Sequence, residues 1–356
     1  MVDTAEELVN GKKSFFSNLW KRKHSDPDRN PLDSLNMKKV IQEIPFQIQN
    51  ILKITGKFQI KNDYDTIVFA GMGGSAAPAD LFVPYVRSQG FVGQTFIVKG
   101  YDLPPLPKNT LVFAMSYSGN TEETVNMFRQ ARRKEYDVVI LTAGGKLAET
   151  ARIHNIPHMM LPSGLQPRQA IPFFFFCLLK IFQNSNLIPD QSRYIDETIK
   201  ALKKPIYKEM AKQLAEQLVG KVPIIYATSR YRGVAHKWKI NCNENAKTPA
   251  FFSVLPEINH NELIGFTGKT MDASFIFLRD EQEHLRNLKR FSVTKRILKK
   301  EGYPVTEIVI KGTNYLTKIF SGLYIGEWTS YFLALHYGKD PTPVDLVEDF
   351  KELLHQ

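Results

Sequence analysis

Short apolar runs rich in β-branched and aromatic residues recur along most of the chain. They lie at 66–70, 95–98, 110–114, 137–141 and 158–161 in the first half, and at 223–227, 250–254, 274–278 and 306–310 in the second. The runs are continuously apolar rather than alternating, and helical stretches separate most of them, which is typical of parallel strands covered on both faces. The pattern predicts an α/β protein with two doubly wound parallel-sheet domains in tandem.

The second half of the chain repeats the organisation of the first. Strand onsets near 66, 110 and 137 are followed by a similarly spaced set near 223, 274 and 306, which indicates a degenerate duplication. We predict a helical lead-in over 1–60 with a polar loop at 23–31, a first domain over 61–195 and a second domain over 196–356. One charged helix over about 191–218 is expected at the boundary, and helices over about 315–337 and up to Gln356 are expected to close the chain.

The most apolar stretch, at 170–179, contains four successive phenylalanines and ends before Lys180. It is about half as long as the roughly 20 residues that a membrane-spanning helix needs, so it predicts a buried helix. The first twenty residues carry charges and lack the uncharged core of about 7–15 residues that is typical of a signal peptide. We therefore expect a cytoplasmic protein without a membrane partner.

Composition narrows the class of protein. Apolar residues make up 43% of the 356 residues and charged residues 23%, values that exclude disordered, collagen-like and coiled-coil proteins. Cys177 and Cys242 are the only cysteines, which excludes a disulfide framework and is typical of a reducing compartment.

The chain is basic, with 47 Lys and Arg residues against 36 Asp and Glu residues and a net charge of +11. This excess favours anionic partners such as phosphates or nucleic acid. The densest basic stretch, at 286–300, is expected to be a solvated helix, so we expect no nucleic-acid partner.

Two loops that follow predicted strands contain groups suited to a phosphate. Gly73, Gly74 and Ser75 come after the run at 66–70 and open a helix, where main-chain N–H groups and the helix dipole favour an anion. This loop lacks the lysine of a P-loop and the third glycine of the dinucleotide-binding fingerprint. A tight strand-to-helix turn is therefore the alternative.

The second loop carries four small hydroxyl side chains in nine residues, namely Ser116, Ser118, Thr121 and Thr124. Such hydroxyls can donate hydrogen bonds to a phosphate. A capping box with Asn120 or Thr121 as the cap and a Glu in the first turn is the alternative, and both can hold together. Both loops are expected at the carboxyl edge of one parallel sheet, where α/β proteins bind ligands. The predicted phosphate-binding residues are Gly74, Ser75, Ser116, Ser118 and Thr121.

These loops and three further segments resemble a known family. The run Ser-Tyr-Ser-Gly-Asn-Thr-Glu-Glu-Thr at 116–124 is similar to the sugar isomerase (SIS) domain. Pro-Arg-Gln-Ala at 167–170, Asn-Glu-Asn-Ala-Lys at 243–247 and Pro-Glu-Ile-Asn-His-Asn at 256–261 resemble segments of the bifunctional phosphoglucose/phosphomannose isomerases. The similarity extends from about residue 60 to the C-terminus.

The resemblance implies two flavodoxin-like SIS domains and an enzyme of glycolysis and gluconeogenesis that acts on a phosphosugar. The implied reaction interconverts glucose 6-phosphate, and in this family also mannose 6-phosphate, with fructose 6-phosphate. It implies a homodimer and a reaction that needs neither a metal nor another cofactor.

An aldose–ketose isomerisation needs a base that moves a proton between C2 and C1 through an enediolate. Glu244 is the expected base, because its segment is rich in amides and apolar residues and a partly buried carboxylate can accept a proton. The alternative is that Glu244 pairs with Lys247 or Lys239 on a helix face. Arg168 presents a planar fork of donors that suits the enediolate oxygens, and its alternative is a surface clamp for the phosphate.

Two further residues complete the expected catalytic set. His260 is expected to open the sugar ring, and the resemblance implies that it comes from the neighbouring subunit. Its alternative is a histidine that is hydrogen bonded within its loop. The resemblance also implies that Lys351 approaches the substrate from the C-terminal helix, whereas a lysine there is otherwise simply solvated.

Other functions remain open from the sequence. Glu257, His260 and Glu262 could hold a metal, as hydride-shift isomerases require, but neither His-x-His nor His-Glu-x-x-His occurs. A non-catalytic SIS module that senses a phosphosugar is the alternative of another class, and it could dispense with Glu244 and Arg168. An amidotransferase-type isomerase is a further alternative, but it would normally bring a glutaminase half, for which we expect no room in 356 residues. Lys146 follows a strand in a glycine-containing loop, but we expect it to be solvated and outside the site.

Overall fold

The computed structural model describes residues 29–354, which form two compact units. The first unit is built mainly from residues 38–190, and the second from residues 32–37 and 191–354. The part of the predicted lead-in over 1–28 lies outside the described residues.

The first unit is a five-stranded sheet flanked by helices. In chain order its elements are α1 (Met37–Gln42), α2 (Ile44–Thr55), β1 (Thr66–Gly71), α3 (Gly73–Ser88), β2 (Gln94–Val98), β3 (Thr110–Ser116), α4 (Glu122–Arg133), β4 (Asp137–Thr142), α5 (Gly145–Ile153), β5 (His158–Met160) and α6 (Ile171–Asn184). A 3₁₀ turn at Pro167–Gln169 precedes α6. All neighbouring strands pair in parallel in the order β2-β1-β3-β4-β5, which is the flavodoxin-like order.

Successive residues of the central strands point to opposite faces of this sheet, and both faces are buried. On one face, Val68 and Val112 pack with Met127 of α4 and Leu147 of α5. On the other face the rings of Phe69 and Phe113 stack at 5.5 Å, and α3 and α6 add further aromatic rings. The phenylalanine-rich α6 is buried over most of its length, as the sequence predicts, and α2 packs against it.

The second unit repeats this arrangement with one strand fewer. Its elements are α7 (Ser192–Leu202), α8 (Ile206–Leu218), β6 (Val222–Thr228), α9 (Arg232–Glu244), β7 (Phe251–Leu255), α10 (Ile258–Asn261), β8 (Ala273–Arg279), α11 (Leu285–Lys300), β9 (Val305–Val309), α12 (Tyr315–His336) and α13 (Asp345–Leu354). The strands are parallel in the order β7-β6-β8-β9. By position in the sheet, β6, β7, β8 and β9 therefore correspond to β1, β2, β3 and β4.

Helices cover both faces of the second sheet as well. Tyr226 and Phe275 pack with Phe291 of α11 on one face. On the other, α9 lies against β6 and α12. The indole nitrogen of Trp238 donates a 2.8 Å hydrogen bond to the carbonyl of Gly322, and a Cβ at Gly326 would lie 2.5 Å from that nitrogen. The small residues of α12 thus allow the Trp238 ring to fit.

The predicted fold class is confirmed, because all nine predicted strands are present and both sheets are parallel. The prediction of one helix over 191–218 is wrong. Two helices, α7 and α8, occupy this range, and the break falls at Pro205. Proline has no main-chain N–H and disfavours helical geometry in the residue before it, so the helix ends and restarts there.

Candidate functional site

Both predicted phosphate-binding loops lie at the carboxyl edge of the first sheet. β1 and β3 are adjacent, with Gly71 opposite Met115, so the loops that follow them are neighbours. The buried hydroxyl oxygen of Ser75 accepts a 3.0 Å hydrogen bond from the main-chain nitrogen of Tyr117. This hydrogen bond therefore fixes the loop after β3 against the loop after β1.

The hydroxyls of the second loop form a cluster. The oxygens Ser116 Oγ and Thr121 Oγ1 lie 2.8 Å apart, and Ser118 Oγ lies 3.5 Å from Ser116 Oγ. The nitrogen of Gly119 donates to Ser116 Oγ at 3.0 Å. Ser116 is buried and Ser118 is exposed, so the cluster opens to solvent at Ser118. The structure brings together the hydroxyl residues predicted to bind phosphate.

The alternative interpretation of this loop, a capping box, is wrong. Thr121 occupies the N-cap position of α4, but its side chain makes no capping hydrogen bond there. The oxygen Asn120 Oδ1 accepts instead from the main-chain nitrogen of Lys146, at the start of α5. Asn120 therefore links the hydroxyl loop to the next helix.

Gly74 lies directly against the turn that carries Arg168. A Cβ at Gly74 would come within 2.7 Å of the nitrogen of Arg168 and the carbonyl carbon of Pro167. Only glycine leaves room for this approach. Arg168 is only 2% exposed, so the alternative of a surface clamp does not describe its surroundings.

Tyr117 connects these parts, although no role for it is predicted from the sequence. Its buried hydroxyl donates to the carbonyl of Pro162 at 2.6 Å and accepts from the nitrogen of Leu165 at 3.1 Å. Burial raises the pKa of Tyr117 well above its usual value, so the hydroxyl stays protonated and remains a donor. Tyr117 thereby ties the hydroxyl loop to the segment that leads to Arg168.

Glu244, the expected base, is the last residue of α9 and is half-buried. Lys247 Nζ donates to the main-chain carbonyl oxygens of Glu244, at 2.9 Å, and of Asp340, at 2.7 Å. Its ammonium group therefore holds the turn after α9.

Buried polar contacts fix α9 against α12. Lys237 and Glu327 form an ion pair of 2.8 Å with side chains only 2% and 6% exposed, and Lys237 also donates to Asn241. One turn further along, Asn245 Nδ2 donates to Ser330 Oγ at 2.9 Å. The end of the helix that carries Glu244 is thus fixed from its buried side.

His260 is exposed on the short helix α10. The residues around it are anchored, because Asn259 donates to Thr294 Oγ1 at 2.8 Å and Glu262 accepts from the Tyr226 hydroxyl at 2.6 Å. A groove of about 300 Å³ lies beside it, lined among others by Ile264 and Phe266. The anchored flanks leave the imidazole at the surface.

The side chains considered for a metal have other partners. Glu262 bonds Tyr226, and Glu257 Oε1 accepts from Asn261 Nδ2 at 2.8 Å. Within residues 29–354, no group of three or more His, Cys, Asp or Glu side chains is arranged to hold a metal ion.

Lys351 lies on α13, a helix with no buried residue, and its ammonium group pairs with Glu348 at 2.7 Å. Glu244, His260 and Lys351 thus lie on three separate elements of the second unit. The phosphate loops and Arg168 belong to the first unit.

The second unit carries an acidic group where the first has its hydroxyl loop. Asp280 follows β8, the counterpart of β3, and is 1% exposed. Its carboxylate accepts from Lys318 Nζ at 2.7 Å and from the Tyr231 hydroxyl at 2.6 Å. In the second unit, an internal carboxylate and its cation therefore occupy the position that the hydroxyl loop has in the first.

No helix among the described residues is both long and apolar enough to cross a membrane.

Fold and site together define a protein with two SIS domains, of which the first keeps the hydroxyl loop. Residues 62–163 match the model of the SIS domain, and residues 207–354 match that of the bacterial phospho-glucose isomerase C-terminal SIS domain. The bifunctional phosphoglucose/phosphomannose isomerase of Aquifex aeolicus is 35% identical over 297 residues, 82% of this chain and 91% of that protein. The enzyme of the same name from Caldicellulosiruptor bescii is 36% identical over 331 residues, 88% of this chain and 97% of that protein. The chain belongs to the bifunctional phosphoglucose/phosphomannose isomerase family, which is a family of isomerases.

The fold recurs in more distant proteins. The C-terminal domain of glucosamine-fructose-6-phosphate aminotransferase from Francisella tularensis superposes with a TM-score of 0.67 at 16% identity, covering 86% of this chain and 98% of that one. At this identity the likeness concerns the fold alone.

Proposed function

We propose that this isomerase interconverts glucose 6-phosphate and mannose 6-phosphate with fructose 6-phosphate. The hydroxyl cluster of Ser116, Ser118 and Thr121, joined to Ser75 through Tyr117, carries the proposal. Together with Gly74 it offers donors for a phosphate group. The names of the relatives indicate which phosphosugars are the substrates, and they favour an enzyme over a non-catalytic sensor.

In the proposed mechanism a single carboxylate performs both proton transfers. Glu244 removes the proton from C2 of the open-chain aldose, and the electron pair of that C–H bond forms the enediolate, with the negative charge on O1. The carboxyl then returns the proton to C1 while the hydroxyl proton of O2 passes to O1, which leaves the ketose carbonyl at C2. The guanidinium of Arg168 stabilises the negative oxygens, which removes the need for a metal or another cofactor.

His260 and Lys351 have supporting roles in this proposal. His260 moves a proton between the ring oxygen and the C1 hydroxyl to open the sugar, and it does so from the neighbouring subunit of a homodimer. Lys351 approaches the substrate. We also propose a cytoplasmic location, which the two unpaired, buried cysteines support.

The test of the reaction is proton NMR of the purified protein with each aldose phosphate in heavy water containing a chelator. Formation of fructose 6-phosphate with deuterium at C1 is the expected result. Conversion without deuterium would favour a hydride shift, and loss of activity in chelator would reveal a metal. Phosphosugar binding without conversion would leave the protein a sensor.

Glu244→Gln tests the base. We expect turnover to fall by at least about 10²-fold with the melting temperature unchanged, because a positioned general base contributes about 10² to 10⁴-fold. The exposed Glu216→Gln is the matched control. More than a tenth of wild-type turnover in Glu244→Gln would exclude it as the base.

Subunit mixing tests the role of His260. His260→Ala and Glu244→Gln are each expected to be inactive. In a mixed dimer, one site would combine an intact Glu244 with the partner's intact His260. An equal mixture should therefore recover about a quarter of the wild-type activity after subunit exchange. If both residues act from one chain, mixing will recover none.

A further inference from the structure

A groove of about 670 Å³ lies between α4 and α5 in the first unit. Its floor contains the buried side chains of Phe128, Leu147 and Ile156. Pockets for small ligands usually have about 300–1,000 Å³, so the groove is large enough for one.

The walls of the groove are basic. Arg129, Arg132 and Arg133 of α4 line one side, and Lys146 with His154 line the other. No acidic residue lines it, and within residues 29–354 none of these five side chains forms an ion pair. A concave surface of one charge sign concentrates ions of the opposite sign.

This arrangement opposes the stability of the two helices. Arg129 and Arg133 are four residues apart on α4, a spacing at which like charges repel. Lys146 lies in the first turn of α5, where the helix dipole disfavours a cation. The helix dipole at the end of α4 accounts for Arg132 and Arg133 but for neither Arg129 nor Lys146. An anion in the groove would relieve both conflicts.

The spacing of the charges indicates the kind of anion. Lys146 and Thr150 share one face of α5, and His154, the C-cap residue, follows four positions later, so Lys146 and His154 are about 12 Å apart along the axis. A single phosphate cannot contact both ends, whereas a chain of phosphates can contact several of these basic side chains at once.

We propose that this groove binds a short oligophosphate, inorganic or attached to a nucleoside, at a site separate from the phosphosugar loops. Hydrogen bonds connect the start of α5, in this site, to the hydroxyl loop. The nitrogen of Lys146 donates to Asn120 Oδ1 at 2.9 Å, and the nitrogen of Leu147 donates to the carbonyl of Gly119 at 3.0 Å. An oligophosphate at the start of α5 would therefore act on the hydroxyl loop.

Calorimetric titration of the full chain with inorganic tripolyphosphate, at about 150 mM salt to screen exposed charges, tests the proposal. One site per chain is expected. Arg129→Gln with Arg133→Gln should weaken binding at least about tenfold. Arg152→Gln, an exposed arginine of α5 outside the groove, is the matched control and should change the affinity less than about twofold.

ATP titrated in parallel distinguishes the two sources. Equal affinities for ATP and tripolyphosphate would mean that the groove recognises the phosphate chain alone. Tighter binding of ATP would mean that the ligand is a nucleoside polyphosphate. Absence of binding to the wild type, or equal weakening by Arg152→Gln, would overturn the proposal.

Saturating fructose 6-phosphate separates this site from the proposed active site. Tripolyphosphate should still bind, and its displacement would place it in the phosphosugar loops instead. Tighter binding of a single-stranded oligonucleotide than of tripolyphosphate would overturn the assignment in favour of nucleic acid. Because no readout depends on turnover, failure of the isomerase proposal leaves this test intact.

Discussion

The main-chain nitrogen of Tyr117 donates a 3.0 Å hydrogen bond to the hydroxyl oxygen of Ser75, across 42 positions of sequence. Ser75 lies in the glycine loop after β1, and Tyr117 lies in the hydroxyl loop after β3. This contact makes the two loops one structure before any ligand binds. Preorganised donors avoid the ordering cost that flexible loops would bring to binding.

Ser75→Ala should therefore reduce both stability and substrate affinity. It leaves the buried nitrogen of Tyr117 without its acceptor, which costs about 1–3 kcal/mol of unfolding free energy. Ser118→Ala is the comparison, because Ser118 is exposed. It should raise KM without changing the denaturant midpoint. Equal stability of the two variants would show that the Ser75 contact does not hold the loops.

Tyr117→Phe should lower kcat more than it raises KM. It keeps the ring but removes the hydroxyl that bonds Pro162 and Leu165. The segment that leads to Arg168 then loses its hydrogen bonds to the hydroxyl loop. We expect a fall of about tenfold, which one lost positioning contact can cause. Steady-state kinetics with fructose 6-phosphate measures it. Tyr136→Phe, which removes a hydroxyl bonded to Leu106 elsewhere in the unit, is the control.

Gly74→Ala should impair the enzyme through backbone displacement. The added Cβ would overlap the main chain of Pro167 and Arg168, which cannot move aside as a flexible side chain can. We expect kcat/KM to fall at least about tenfold. Gly265→Ala, whose Cβ would enter open space, should have no such effect. Wild-type kinetics of Gly74→Ala would show that the turn tolerates the shift.

The sequence predicts the sheets well because buried parallel strands are continuously apolar, and this signal is local. It also predicts the hydroxyl loop, whose residues lie within nine positions. Tyr117 was missed because its partners at Pro162 and Leu165 are distant in sequence and are main-chain groups, which leave no sequence signal. The burial of Arg168 could not be predicted either, since it depends on how the turn at 167–169 packs on α3.

The anchoring of α9 is another feature that no motif indicates. Lys237 looks like an ordinary helix lysine, yet it is buried and paired with Glu327. Its partner lies in α12, far along the chain. Pairing of this kind follows from the packing of two helices, so only the three-dimensional arrangement reveals it.

Removing one partner of this ion pair should be costly. Glu327→Gln leaves the buried ammonium of Lys237 uncompensated, which is expected to lower the unfolding free energy by about 3 kcal/mol or more. Lys237→Met should act similarly, while the double variant Lys237→Met with Glu327→Leu should lose much less than the sum. Denaturant unfolding measures all three. Additive losses would contradict coupling between the two side chains.

Asp280 should make stability depend on pH. Burial raises the pKa of Asp280, but hydrogen bonds from Lys318 and Tyr231 outweigh it and hold the pKa below its usual value. A lowered folded-state pKa contributes stability that is complete above the unfolded value, near 3.9, and is lost as the pH falls through the folded value. The deficit of Asp280→Asn relative to wild type should therefore be largest at neutral pH and shrink in acid.

Urea unfolding of both proteins from about pH 7 to about pH 2 measures that deficit, because the loss begins near the unfolded value of about 3.9 and continues below it. Asp272→Asn is the control. Its carboxylate also has a lowered pKa, held by the hydrogen bond from Lys269, but the pair is exposed, and exposed pairs contribute little to stability. A deficit for Asp280→Asn that stays constant over the whole range would mean that the side chain acts through packing and not through its charge.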